Sequence, residues 1–204
     1  MPLAFSLCVC FANAQTSSFS AWALSSDSPP ASPVPRESTE PPSTNWTAGI
    51  TLAGGPGLKA MGSCRAHDLS TAALHVGRLL NSEGPFLHHF ELGAELWTGA
   101  QSHPDTAYLV GLTPIVRYRF FPDARWTPFI DAGAGLTGTD IGRPDLSTTF
   151  EFNLQAGGGL QWKWRDNTAL LVQARYIHLS NASIESPNHG VNSVLFGVGV
   201  AWFF

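Results

Sequence analysis

The sequence predicts an all-β chain, an eight-stranded antiparallel transmembrane β-barrel with short periplasmic turns and longer extracellular loops. Three observations carry that prediction. Beyond Ser43, eight segments alternate apolar and polar residues with the period of two that an extended strand imposes. No apolar stretch after the N-terminus is long enough for a spanning helix, which leaves a closed barrel as the way across a bilayer. The composition, 44% hydrophobic, 13% charged and with 20 glycines, suits a wall that faces lipid.

The chain opens with Leu3-Ala4-Phe5-Ser6-Leu7-Cys8-Val9-Cys10-Phe11, a short apolar core, and Ala12-Asn13-Ala14 reads as a small-x-small cleavage site before Gln15. Residues 1–14 are therefore expected to be an export signal, although it lacks a positive leading region. Residues 15–43 are rich in Ser, Pro and Ala and have no hydrophobic period, so they read as a disordered lead. Residues 44–204 form the expected barrel domain. Removal of the signal would leave Cys64 as the single cysteine, which excludes a disulfide framework within one mature chain. A net charge of -4 offers no basic field, and no nucleic-acid partner is expected.

The expected strands cover about 45–55, 70–80, 86–99, 106–121, 126–138, 147–163, 167–180 and 191–204. Eight is the smallest usual number for an outer-membrane barrel. The sixth strand is the clearest: Phe150, Phe152, Leu154, Ala156, Leu160, Trp162 and Trp164 share one face, opposite Glu151, Asn153, Gln155, Gln161 and Lys163. The fourth sets Tyr108, Val110, Leu112, Val116, Tyr118 and Phe120 outward against Thr113, Arg117 and Arg119. The fifth sets Trp126, Ile130 and Leu136 outward against Asp131. Glu91, Glu95 and His75 join the inward set, giving a packed polar lumen in which these carboxylates pair with Arg117, Arg119 and Arg175. Inward glycines such as Gly93, Gly111 and Gly157 leave room for long side chains. Outward Trp46, Trp126, Trp162, Trp164 and Trp202 suit aromatic girdles.

The links near 81–85, 122–125 and 165–166 read as short periplasmic turns, and those around 56–69, 100–105, 139–146 and 181–190 as longer exterior loops. Strand seven then runs outward. Its far end carries His178 and Ser180, two apart and therefore on one face, and Leu170, Val172, Ala174 and Tyr176 place that face among the apolar, outward residues. A base beside a hydroxyl can activate it as a nucleophile. In a water-soluble protein such a face would be sealed in a core, whereas here it meets lipid near the outer-leaflet headgroups. The pattern points to an esterase acting on lipid.

The segment His178-Leu179-Ser180-Asn181-Ala182, followed by Pro187-Asn188 and Gly190, resembles the lipid A 3-O-deacylase (PagL) family of outer-membrane acyl hydrolases. That resemblance implies Ser180 as nucleophile and His178 as base, with lipid A of the lipopolysaccharide as substrate, an ester-linked 3-hydroxyacyl chain as leaving acyl group and the bacterial outer membrane as location. Family members carry an acidic residue two positions beyond the glycine, where this chain has Asn192. Asn192 shares its face with Val194 and Phe196 and would orient His178 through its side-chain oxygen, as in Cys-His-Asn hydrolases. Glu185 is the nearby alternative acid, against its reading as a solvated loop charge. Asn181 and Asn188 are candidates either for oxyanion donors or for fixing the loop. Ser183 stands where family members often carry Gly.

No metal or organic cofactor is expected: His88 and His89, adjacent on an expected strand, face opposite ways, and His67, His103 and His189 fall in loops without ligand spacing. Gly157-Gly158-Gly159 lies inside a strand and is not a phosphate loop. A structural or adhesive barrel is the alternative function class, and a channel is disfavoured by the bulky inward side chains. A homodimer is left open as an assembly.

Overall fold

The computed structural model describes residues 45–80 and 84–204. The expected signal (1–14) and lead (15–43) lie outside the described residues, as do Asn81, Ser82 and Glu83 of the first expected turn. Eight strands follow in order: β1 (Trp46–Gly55), β2 (Asp68–Leu79), β3 (Phe90–His103), β4 (Ala107–Arg119), β5 (Trp126–Thr139), β6 (Phe150–Arg165), β7 (Thr168–Ser180) and β8 (Val191–Phe203). Each pairs antiparallel with its sequence neighbours. β8 returns to β1, Thr47 opposite Phe203 and Gly54 opposite Phe196, so that the barrel closes without an edge.

Alternation sorts the side chains as expected. Along β4, Tyr108, Val110, Leu112 and Val116 are exposed on the outer wall, and Leu109, Thr113, Ile115, Arg117 and Arg119 are buried inside. The middle of the lumen is a charge network. Arg175 bridges Glu95 and Asp131, the latter at 2.9 Å, and Arg117 reaches the same Asp131 oxygen at 3.0 Å. His75 Nε2 lies 2.7 Å from Glu91, which also accepts from Thr47 Oγ1 at 2.6 Å. Arg119 donates to the His88 carbonyl. Charges taken from water are tolerated where partners replace the lost hydration. A cavity of about 20 Å³ beside Thr51, Glu95, Trp97 and Arg175 has room for about one water.

The lumen is less uniformly polar than the alternation suggests. Toward the loops it is filled by Leu69, Trp97, Leu109, Ile141, Leu146, Ile177, Leu179, Val191 and Leu195. Trp97 turns inward, donates to Thr113 Oγ1 at 3.0 Å, and fits because Gly111 has no side chain: a Cβ there would sit 2.3 Å from the indole.

Two links differ from expectation. β3 runs on to His103, leaving only 104–106 between β3 and β4, because residues 100–103 continue the ladder with β2 and β4. At the other end, His88 and His89 belong to a 3₁₀ turn (Leu87–His89) rather than to a strand. His88 contacts Asp123 at 3.1 Å, and His89 stacks on Tyr118 and bonds the Arg119 carbonyl. The long links 56–67, 140–149 and 181–190 all lie at one end and are tied together. Arg65 pairs with Asp105 at 3.1 Å and with buried Asp145 at 2.5 Å, and the His189 amide donates to the Asp145 carbonyl at 2.9 Å. His67, in a loop as expected, is fully buried against Gln101 at 2.7 Å. At the opposite end, Trp126 stacks on Trp162, and Arg125 and Arg165 lie over Trp162 and Trp164, an interfacial aromatic band.

Candidate active site

The last residues of β7 place Tyr176, His178 and Ser180 on the outer wall at the loop end. In the β7–β8 ladder His178 stands directly opposite Asn192, and in the β6–β7 ladder Ser180 stands opposite Phe152 and His178 opposite Leu154. Three of the expected site residues therefore meet. His178 Nε2 is 3.1 Å from Ser180 Oγ, and His178 Nδ1 is 2.8 Å from Asn192 Oδ1. With Nδ1–H donating to the amide oxygen, the lone pair of Nε2 faces the Ser180 hydroxyl, the arrangement in which an imidazole can accept its proton.

Asn192 has outward parity yet is fully buried. Its cover is the β1–β2 link. Pro56, Gly57 and Leu58 continue along β8, the Val194 amide donating to Pro56 and the Leu58 amide to the Asn192 carbonyl. The chain then turns so that the Ala60 carbonyl accepts from Asn192 Nδ2 at 2.8 Å. Tyr176 donates its hydroxyl to Asn192 Oδ1, with Met61 Sδ 3.2 Å from the same hydroxyl. Gly190, at φ 75°, lies against the other side of the imidazole: a Cβ there would be 3.1 Å from His178 Cε1.

The β7–β8 loop divides the two asparagines. Asn181 spends its side-chain amide on Ser147 Oγ (3.1 Å) and the Glu185 carbonyl (2.9 Å), and so fixes the loop. Asn188 accepts from the Asn181 backbone amide through Oδ1 at 3.2 Å, and its own amide nitrogen makes no hydrogen bond among the described residues. Ala182 and Ser183 have φ of 53° and 65°, the left-handed region that favours glycine. Glu185, the alternative acid, lies apart from this cluster. Its carboxylate faces Arg143 at 3.5 Å on the exposed loop surface, and the position at His178 Nδ1 is taken by Asn192. Among the described residues no group of three or more His, Cys, Asp or Glu side chains is placed to hold a metal ion.

Sequence reasoning uses Tyr176 only to fix the strand face. Its position two residues before His178 is the available signal that it belongs with the site. Ala60 carries no signal, because its contribution is a carbonyl delivered by an irregular loop.

A family model described as lipid A 3-O-deacylase (PagL) matches residues 79–201. The lipid A deacylase PagL of Pseudomonas aeruginosa is 30% identical over 115 residues, covering 55% of this chain and 63% of that relative; the match thus spans less than two thirds of the relative's length. Among solved structures, the outer membrane enzyme PagL is similar with a TM-score of 0.57 at 20% identity, over 74% of this chain and 97% of that one. Neisserial surface protein A gives a TM-score of 0.57 at 14% identity, over 78% and 97%. At these identities the structural likeness establishes the barrel fold alone. The family match runs from the end of β2 into β8 and takes in His178, Ser180 and Asn192: the chain belongs to the lipid A 3-O-deacylase (PagL) family of outer-membrane β-barrels.

Proposed function

We propose that this barrel is an outer-membrane esterase that removes an ester-linked 3-hydroxyacyl chain from lipid A. The observation that carries the reading is the chain of contacts from Ser180 Oγ to His178 Nε2 (3.1 Å) and from His178 Nδ1 to Asn192 Oδ1 (2.8 Å), set on the lipid-facing wall at the loop end. Ser180 Oγ attacks the ester carbonyl carbon while His178 takes the hydroxyl proton. Collapse of the tetrahedral intermediate breaks the bond to the sugar oxygen, which leaves with the proton from His178, and the acyl group stays on Ser180. His178 then removes a proton from water, whose oxygen attacks the acyl-serine; the fatty acid departs and Ser180 recovers its proton.

Of the two asparagines, Asn188 is the better oxyanion donor, since its amide nitrogen is uncommitted and that of Asn181 is spent within the loop. Phe152 and Leu154, beside Ser180 and His178 on β6, supply apolar wall for the acyl chain, and the sugar lies at headgroup level under the loops. The residues call for no metal or cofactor.

The test is incubation of the folded barrel with defined lipid A in detergent micelles, with product masses followed beside Ser180→Ala. Loss of one 3-hydroxyacyl group with the parent and none with the variant is the expected result. Deacylation by Ser180→Ala would overturn Ser180 as the nucleophile, and none by a parent shown folded by heat-modifiable gel mobility would overturn the reading in favour of a structural or adhesive barrel.

A further inference from the structure

An amide in place of a carboxylate creates a problem that a carboxylate does not have. The two carboxylate oxygens are alike, whereas Asn192 carries oxygen on one side and NH₂ on the other. With the oxygen toward His178, Nδ1 keeps its hydrogen and Nε2 is free to accept from Ser180. With the NH₂ toward His178, Nδ1 must accept, the hydrogen moves to Nε2, and the base is lost. In Ser-His-Asp hydrolases an Asp→Asn change that leaves the geometry intact lowers kcat about 10⁴-fold through this wrong tautomer.

Two contacts around Asn192 resolve the ambiguity. Its Nδ2 points at the Ala60 carbonyl, 2.8 Å away, which accepts only. Its Oδ1 receives the Tyr176 hydroxyl in addition to His178 Nδ1. Reversing the amide would set two carbonyl oxygens against each other at Ala60, and would turn the Tyr176 hydroxyl into an acceptor whose hydrogen is left with the weakly accepting Met61 Sδ, 3.2 Å away. Asn192 is fully buried, so water does not relieve the clash at Ala60 or replace the weakened bond at Tyr176.

We infer that Tyr176 and the Ala60 carbonyl form a polarity lock that fixes the Asn192 amide with its oxygen on His178, and that Tyr176 is thereby a positioning residue for the base. The inference rests on the proposed Ser180–His178 chemistry and deepens it. It also makes the β1–β2 loop part of the site, since without Ala60 the amide loses the contact that distinguishes its two ends.

The experiment is a cycle of Tyr176→Phe and Asn192→Asp, each barrel first shown folded by heat-modifiable mobility. Tyr176→Phe is expected to lower kcat about fivefold to tenfold with KM within about twofold. In the Asn192→Asp background, where turning the side chain over exchanges like oxygens, the same change is expected to cost less than about twofold. Changes in the contact between the introduced carboxylate and Ala60 are common to both members of that background and cancel. In parallel, ¹⁵N spectra of histidine-labelled barrel, assigned with His178→Gln, should show the Nδ1–H tautomer in the parent and a growing Nε2–H fraction in Tyr176→Phe. An unchanged kcat and tautomer in Tyr176→Phe, or an equal loss in both backgrounds, would overturn the lock. Retained deacylation in Ser180→Ala would instead overturn the catalytic reading, and the tautomer spectra would still decide the lock.

Discussion

Gly190→Ala separates the position of the base from the stability of the barrel. Gly190 has φ 75°, so any L side chain there adopts the left-handed conformation at a cost of about 1–2 kcal/mol. Gly84, at φ 115° and with nothing among the described residues within 4 Å of an added methyl group, would bear backbone strain alone. At Gly190 the added methyl would also lie 3.1 Å from His178 Cε1 and 3.2 Å from the Leu179 carbonyl, closer than carbon comfortably approaches either. The backbone carbonyl is held in the ladder, so the imidazole must yield by several tenths of an ångström. The Nε2 to Ser180 distance is already 3.1 Å, toward the long end for such a bond, and has little reserve. Since a misplacement of about 1 Å can cost about 10²-fold, a loss of about 10-fold or more in kcat is expected for Gly190→Ala. Gly84→Ala should show comparable destabilisation and full activity. Lipid A deacylation by mass, with urea unfolding in micelles for each variant, makes the comparison. A Gly190→Ala barrel as active as Gly84→Ala would refute the argument that this glycine sets the ring's position.

Ser183→Gly should stabilise the barrel by about 1 kcal/mol, because φ 65° strains serine and not glycine; the shift in urea midpoint is the measurement. Arg175→Met should destabilise by about 3–5 kcal/mol, since it takes the guanidinium from buried Glu95 and leaves Asp131 with Arg117 alone, and should appear as a lower temperature for the heat-modifiable mobility change.

Strand number, faces and most boundaries are legible because a barrel wall repeats one rule. β6 displays it from Phe150 to Trp164, with apolar residues toward lipid and polar side chains toward the middle of the lumen. The rule fails where another contact decides. Residues 100–103 read as loop because Gln101, Ser102 and His103 look like turn residues, yet the β2 and β4 partners extend the ladder through them. His88 and His89 have no outward or inward role to assign, since the chain has already left the wall. Trp97 keeps the inward parity of Glu91 and Glu95, so it breaks only the expectation of a polar lumen, and it fits there because Gly111 on the neighbouring strand leaves space for the indole.

The site divides along the same line. His178, Ser180 and Asn192 come together through strand parity and a cross-strand register, both of which follow from sequence once the hairpin is placed. What parity misjudges is the environment. It puts all three against lipid, where polar side chains without partners are costly. In the folded barrel the cost is removed contact by contact: Nδ1 of His178 by Asn192, Nε2 by Ser180, the amide of Asn192 by Ala60, and its oxygen by Tyr176 as well as His178. Half of these partners arrive from residues that carry no motif, one of them a loop carbonyl 132 positions away in sequence. A short motif can thus nominate the nucleophile and base of a membrane-facing hydrolase, whereas the groups that let polar chemistry stand on an apolar wall are supplied by the closure of the barrel and the folding of its first loop over its last strand.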